Sequence, residues 1–125
     1  MPARCLIAEL ARRLVARGGT WGRIIGLTSG GPGGFPGEVT YGAAKAALEN
    51  YTMSAARELG RRGVTANMVH PPITDTGWVN DSVREFAATD REHFHVAEPA
   101  EVARVIAWLC TDDARMVSGN VIRMR

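Results

Sequence analysis

The sequence predicts an α/β fold in which about three parallel strands form one sheet with helices on its faces. Three observations carry this reading. Amphipathic helical patterns alternate with short runs of β-branched and apolar residues, in the order helix, strand, helix, strand, irregular segment, helix, strand. Each strand is separated from the next by enough chain to hold a helix, which parallel neighbours require for a right-handed crossover. The chain has 125 residues, enough for one core that hides about two thirds of the surface an unfolded chain exposes. The arrangement is half of a doubly wound fold.

Residues 3–17 place Leu6, Leu10 and Leu14 on one side with Ile7, Ala11 and Val15 beside them, while most of the charges fall elsewhere. Gly18 and Gly19 stop this helix, and residues 22–28 follow as a buried strand, apolar and rich in β-branched residues. Residues 30–37 hold five glycines and two prolines, too many breakers for regular structure and well suited to a backbone passing close to a ligand. A second helix is expected at 40–59, with Ala43, Ala44, Ala46 and Ala47 giving it a small-residue surface, and a second strand at 64–69. Residues 71–97 read as an irregular lid with a helical piece near 82–88. Pro99 sits where a first-turn proline belongs, Val102, Val105, Ile106 and Leu109 make the buried stripe of a third long helix, and 120–124 is the last strand.

Composition narrows the function classes. The chain is 46% hydrophobic and 22% charged, with a formal net charge of +2. No apolar run approaches the roughly 20 residues of a membrane helix, and the N-terminal residues do not read as a signal peptide. A cytoplasmic location with no membrane partner is the expectation. The arginines are scattered, which does not support a nucleic-acid partner. Cys5 and Cys110 lack metal-type spacing and read as small hydrophobes, and His93, His95 and His70 lack the partners a metal site needs. Trp78, Phe35 and Phe86 are equally readable as the lining of an apolar pocket or as packing of the lid. Among 15 Lys and Arg residues a single one, Lys45, is lysine.

Tyr41 and Lys45 lie four apart near the start of a predicted helix, so their side chains project from the same face one turn apart. An ammonium group within about 4 to 6 Å of a phenol favours its ionised form, and so turns a side chain with a reference pKa near 10 into a usable acid and base near neutrality. Such a pair is common in helices, but here the strand at 22–28 also delivers two hydroxyls, Thr28 and Ser29, to the strand end where open α/β sheets hold their ligands.

Leu27-Thr28-Ser29-Gly30, the glycine-rich loop, and Thr40-Tyr41-Gly42-Ala43-Ala44-Lys45-Ala46-Ala47 together resemble the active-site segment of the short-chain dehydrogenase/reductase family. Residues 62–69, 70–76, 98–103 and 117–122 resemble, in order, the family's next strand, its Pro-Gly-x-x-x-Thr cofactor loop, its last helix and its last strand. The resemblance covers nearly the whole chain but only the C-terminal half of a family member, and members reducing 3-oxoacyl groups on a carrier protein are among the most similar. It implies a Rossmann-type sheet and a single truncated catalytic domain over 1–125, with the dinucleotide-binding half absent. It further implies that Tyr41 exchanges a proton with the substrate oxygen while Ser29 hydrogen-bonds that oxygen. Lys45 would assist Tyr41 and hold the cofactor ribose, and Pro71, Ile73 and Thr76 would contribute to the nicotinamide site. The implied cofactor is NAD or NADP, and the implied substrate a small carbonyl compound or alcohol.

The chain departs from the family in four places. The Gly-x-x-x-Gly-x-Gly turn that approaches the pyrophosphate has no counterpart, and neither does the catalytic asparagine expected on helix 3–17. From Ser29 to Tyr41 the spacing is one residue short, which leaves Thr28 as a possible stand-in for Ser29. Pro72 replaces a glycine, stiffening the cofactor loop. Two functions compete: an oxidoreductase, or a catalytically silent fragment that only associates, as a homodimer or tetramer, through helices 3–17 and 40–59, which resemble the family's dimer-packing helices.

Overall fold

The computed structural model describes residues 2–125. Its elements run α1 (Ala3–Ala16), β1 (Gly22–Leu27), α2 (Val39–Leu59), β2 (Val64–His70), α3 (Asp81–Thr89), α4 (Pro99–Leu109) and β3 (Asn120–Arg123), with short 3-10 turns after α2 and α4. The three strands form one parallel sheet in the order β1-β2-β3. Gly22 pairs with Val64 at one end of the first ladder and Asn67 pairs with Asn120 in the second.

β2 is central, and every residue from Val64 to Val69 is buried, because both of its faces carry helices. Successive side chains serve opposite cores. Val64 and Ala66 join Ile24, Leu14, Ala55 and Leu59 beneath α1 and α2. Val69 instead joins Val102, Leu109 and Ala114 beneath α4, with Ile25 and Ile122 packed alongside. On this second face Asn67 is 1% exposed and fully employed: its amide donates to the Val117 carbonyl at 2.8 Å, and its Oδ1 accepts from the Asn120 backbone at 3.2 Å.

The start of β2 depends on Gly63, which takes φ +72° between the 3-10 turn and the strand. A Cβ there would sit 2.0 Å from the Thr20 carbonyl oxygen, so the backbone crossing ahead of β1 leaves room only for hydrogen. Beside it Arg23, with a side chain 5% exposed, stacks 4.7 Å over Trp21, reaches Asp112 at 3.3 Å and donates to the Gly22 carbonyl at 2.9 Å. This cluster ties β1 to the turn after α4.

The apolar stripe of α1 is wider than its buried face. Ile7, Leu10, Ala11 and Leu14 pack inward, while Leu6 and Val15 remain 58% and 50% exposed. α4 opens with a reciprocal capping box between Glu98 and Glu101 and with Pro99 in its first turn. α3 is capped by Asn80, whose side chain accepts from the Val83 N–H at 3.1 Å. The segment carrying α3 is pinned at its base by a parallel bridge between Thr74 and Ala97, so it is a loop of chain closed at its base.

Candidate active site

β1 brings its C-terminal end under the first turns of α2. The ladder continues one residue past the strand, the Thr28 N–H donating to the Val69 carbonyl at 2.9 Å. Beyond this point Gly30 to Gly37 turns away from the sheet and re-enters at α2, where Phe35 lies so close to Gly42 that a Cβ there would stand 2.8 Å from the Phe35 Cβ. The glycine lets the aromatic ring seat against the helix start.

Tyr41 and Lys45 are together, as their spacing predicts. The Lys45 ammonium lies 5.3 Å from the centroid of the Tyr41 ring and donates to the Leu27 carbonyl at 2.9 Å. Of its three N–H donors, two are left for other partners. Tyr41 is 46% exposed and takes the edge of Phe35, ring centroids 5.8 Å apart at 64°.

The two candidate hydroxyls have separate surroundings. Thr28 is 3% exposed and its hydroxyl donates to the carboxylate of Glu49, so it is committed to the protein. Ser29 instead lines a cavity of about 850 Å³ with Phe35, Val39, Ala46, Glu49 and Arg123. Tyr41 and Lys45 stand on the neighbouring flank of α2, outside that lining, and no hydrogen bond joins Ser29 to Tyr41 among the described residues. Phe35 connects the two, facing the cavity and packing on Tyr41. Of the other aromatics, Trp78 and Phe86 lie outside the cavity: the Trp78 indole donates to the Thr74 carbonyl at 2.9 Å and Phe86 packs on His93.

Pro71, Ile73 and Thr76 follow β2 on the adjacent loop. The Ile73 carbonyl accepts from the Ala97 N–H at 2.8 Å, which leaves its own N–H as the open backbone group. The Thr74 hydroxyl closes the turn on the Pro72 carbonyl at 2.8 Å, and among the described residues none other than glycine has positive φ, so the loop accommodates Pro72 without strain. Thr76 is exposed. The Lys45 ammonium, the Ile73 N–H and the Thr76 hydroxyl are hydrogen-bond donors that α2 and this loop leave available.

Two residues at the site have roles the sequence did not suggest: Glu49 is not singled out there, and His70 reads there only as a candidate metal ligand and as the start of the cofactor loop. Glu49 lies one turn beyond Lys45 on α2, and His70 ends β2 with its Nε2 donating to the Gly30 carbonyl at 2.7 Å. His93 bonds Asp90 at 2.6 Å, which holds that carboxyl below its ordinary value, aided by the Glu92 N–H. No group of three or more metal-type side chains occurs among the described residues.

A family model described as Enoyl-(Acyl carrier protein) reductase matches residues 3–124. The chain belongs to the short-chain dehydrogenase/reductase family. Among curated members of this family it is 38% identical over 118 residues to YjdA of Bacillus subtilis, an uncharacterized oxidoreductase, with 94% of this chain and 47% of that protein covered. It is 37% identical over 121 residues to the 3-oxoacyl-[acyl-carrier-protein] reductase FabG of Pseudomonas aeruginosa, covering 88% of this chain and 47% of that one. Among solved family structures, the angucycline C-6 ketoreductase LanV with bound NADP superposes with a TM-score of 0.77 at 36% identity, covering 94% of this chain and 47% of LanV. The chain therefore spans about half the length of the relatives it matches.

Proposed function

We propose that the chain serves a nicotinamide-dependent oxidoreductase that interconverts a carbonyl and a secondary alcohol. The observation supporting this most directly is the Lys45 ammonium, 5.3 Å from the Tyr41 ring and anchored to the strand end that also presents Ser29. The FabG and LanV likenesses, to a 3-oxoacyl reductase and to a ketoreductase with bound NADP, favour the same chemistry.

When bound, NAD or NADP supplies or takes up the hydride. In the reducing direction Tyr41 gives its phenolic proton to the carbonyl oxygen, so that the C=O π bond is replaced by one C–H and one O–H bond; oxidation runs the reverse. Ser29 donates a hydrogen bond to the same oxygen and stabilises the charge that develops there. Lys45 attracts the negative charge left on the phenol, and its two free donors hold the ribose hydroxyls. The Ile73 N–H and the Thr76 hydroxyl would hold the nicotinamide carboxamide, with Pro71 on the same loop.

Titrating the purified chain with NADH and with NADPH, followed by nicotinamide fluorescence, tests the assignment. Removing a charged donor costs about 1.5 to 3 kcal/mol, so Lys45→Ala should weaken binding by roughly 10- to 150-fold. Tyr41→Phe should keep binding within a few-fold and abolish reduction of a test ketone. Binding indifferent to Lys45→Ala, or ketone reduction surviving in Tyr41→Phe, overturns the roles given to these residues.

Association through α1 and α2 is a second reading. Leu6 and Val15 are 58% and 50% exposed on α1, and Tyr51 is 44% exposed on α2, which favours a partner surface there.

A further inference from the structure

The four residues from Leu27 to Gly30 are tied both to α2 and to the end of β2. Lys45 takes the Leu27 carbonyl at 2.9 Å, Glu49 takes the Thr28 hydroxyl, and His70 donates to the Gly30 carbonyl at 2.7 Å. Ser29 is flanked by these ties, so its neighbours set the backbone position from which its hydroxyl projects. Lys45 and Glu49 hold consecutive residues from consecutive turns of α2, the helix that also carries Tyr41. The Thr28–Glu49 bond thereby joins the serine's strand end to the helix of the other two site residues. Thr28 is 3% exposed, and a buried hydroxyl without an acceptor is unfavourable, so the bond persists unless one partner is removed. A carboxylate acceptor makes it stronger than a neutral one would. His70 reaches across from the end of β2, with Nε2 carrying the proton because a carbonyl can only accept.

We propose that Glu49 and His70 are positioning residues that hold Ser29 in register with Tyr41 and Lys45. Glu49 acts through Thr28 and His70 through Gly30. The proposal rests on the catalytic reading above for its effect on turnover, and stands on geometry alone for its effect on Ser29.

The test uses the full chain with isotope labels and reads two things. The first is the set of Hα–Hβ couplings of Ser29, which report whether one side-chain rotamer dominates. One rotamer is expected in the wild type, in Glu49→Gln, which keeps an acceptor oxygen, and in His70→Gln, which keeps a donor. Averaged couplings are expected in Glu49→Ala, His70→Ala and Thr28→Val. The second is ketone reduction with NADPH or NADH. Misplacing a reacting group by a fraction of an ångström to one ångström costs about 10- to 100-fold, so kcat should fall by that factor in the alanine variants with KM within about two-fold. The glutamine variants should recover most of it. If Glu49→Ala fails to fold, Thr28→Val and Thr28→Ser carry the same comparison, with serine expected to rescue. Unchanged Ser29 couplings in both alanine variants overturn the proposal, as does an equal loss of kcat in Glu49→Gln and Glu49→Ala. A wild-type chain without turnover counts against the proposed function, while the Ser29 couplings still decide the positioning roles.

Discussion

Gly63 and Gly60 stand three residues apart in the turn that launches β2, and adding one methyl group should have opposite effects at the two positions. Gly63 has φ +72°, and its added Cβ would lie 2.0 Å from the Thr20 carbonyl oxygen, a backbone atom that cannot swing aside. A side chain in the left-handed region costs roughly 1 to 2 kcal/mol. Relieving the overlap by moving backbone resembles overpacking a core and costs about 1 to 3 kcal/mol more. Gly63→Ala should therefore lose about 2 to 5 kcal/mol, a large share of the 5 to 15 kcal/mol typical of whole domains. Gly60 has φ −57° and ψ −40°, and its added Cβ would meet nothing within 4 Å. There alanine only restricts the unfolded chain, so Gly60→Ala should gain about 0.4 to 1 kcal/mol. Urea unfolding of both variants beside wild type, in one buffer, measures the pair, and thermal melts should show Gly63→Ala lower by roughly 10 °C or more. A Gly63→Ala midpoint equal to wild type, or Gly60→Ala destabilised as much as Gly63→Ala, would refute the argument that the Thr20 crossing sets the start of β2.

Asn67→Leu removes the partner of the Val117 carbonyl and of the Asn120 N–H, and with part of the loss taken up by water near Asn120 it should cost about 1 to 3 kcal/mol in urea unfolding; a loss below about 0.5 kcal/mol would contradict it. Glu9 accepts from Arg12 at 2.7 and 2.8 Å and from Arg13 at 2.7 Å, and these bonds, Arg12's foremost, hold its carboxyl down at about 2 from an ordinary 4.5. Because the folded value is the lower one, the contribution is complete above pH 4.5 and disappears as pH falls through about 2. Glu9→Gln should accordingly flatten the acid limb of stability against pH, slightly, since the pair is exposed; an identical limb in the variant would show that the pair contributes nothing. β1 is hydrogen-bonded on one side only among the described residues, and Leu27 at its end is 44% exposed. The purified chain should therefore self-associate, and a monodisperse monomer by light scattering at micromolar concentration would contradict this.

Element type and order were legible because each depends on local pattern. The alternation in 3–17 and 40–59, the apolar run at 22–28 and the proline at 99 act within a few residues, and the helices and strands formed there differ from the expectation by one residue at their ends. At β2 the difference comes from distant pairing. β2 extends to His70 because that residue meets Arg123 in β3, a partner no window around His70 contains. The same limit divides the site. Tyr41 and Lys45 are one helical turn apart and could be read from spacing, whereas the acceptor of the Thr28 hydroxyl is 21 positions away and His70 meets Gly30 across 40. Glu49 did share a face with Lys45 in the sequence, but a glutamate one turn past a lysine reads first as a surface ion pair. Its actual partner is a buried hydroxyl, visible only once β1 is laid under α2. The different surroundings of Thr28 and Ser29 also waited on the fold, which buries and engages one hydroxyl and leaves the other beside the cavity.

The order of the site follows from how the helix and the central strand share their labour. α2 rests on the sheet through Thr52, Ala55 and Leu59, all buried in its second half, while its first half stands over the strand ends with Tyr41 and Lys45 at least partly open to solvent. The packed half fixes the axis of the helix, and the open half uses that fixed axis to present side chains at one-turn intervals. β2, buried along nearly its whole length, does the same for His70 and the loop that follows it. A change in the buried half of α2 should thus act on the site by tilting the whole row of Tyr41, Lys45 and Glu49 together, whereas a change at Glu49 should disturb Thr28 and Ser29 and leave Tyr41 in place. Ala55→Gly, which removes one methyl from the packed half, separates these cases: it should shift the Tyr41 and Ser29 resonances in concert, and a shift confined to Ser29 would show that the helix does not move as a rigid unit.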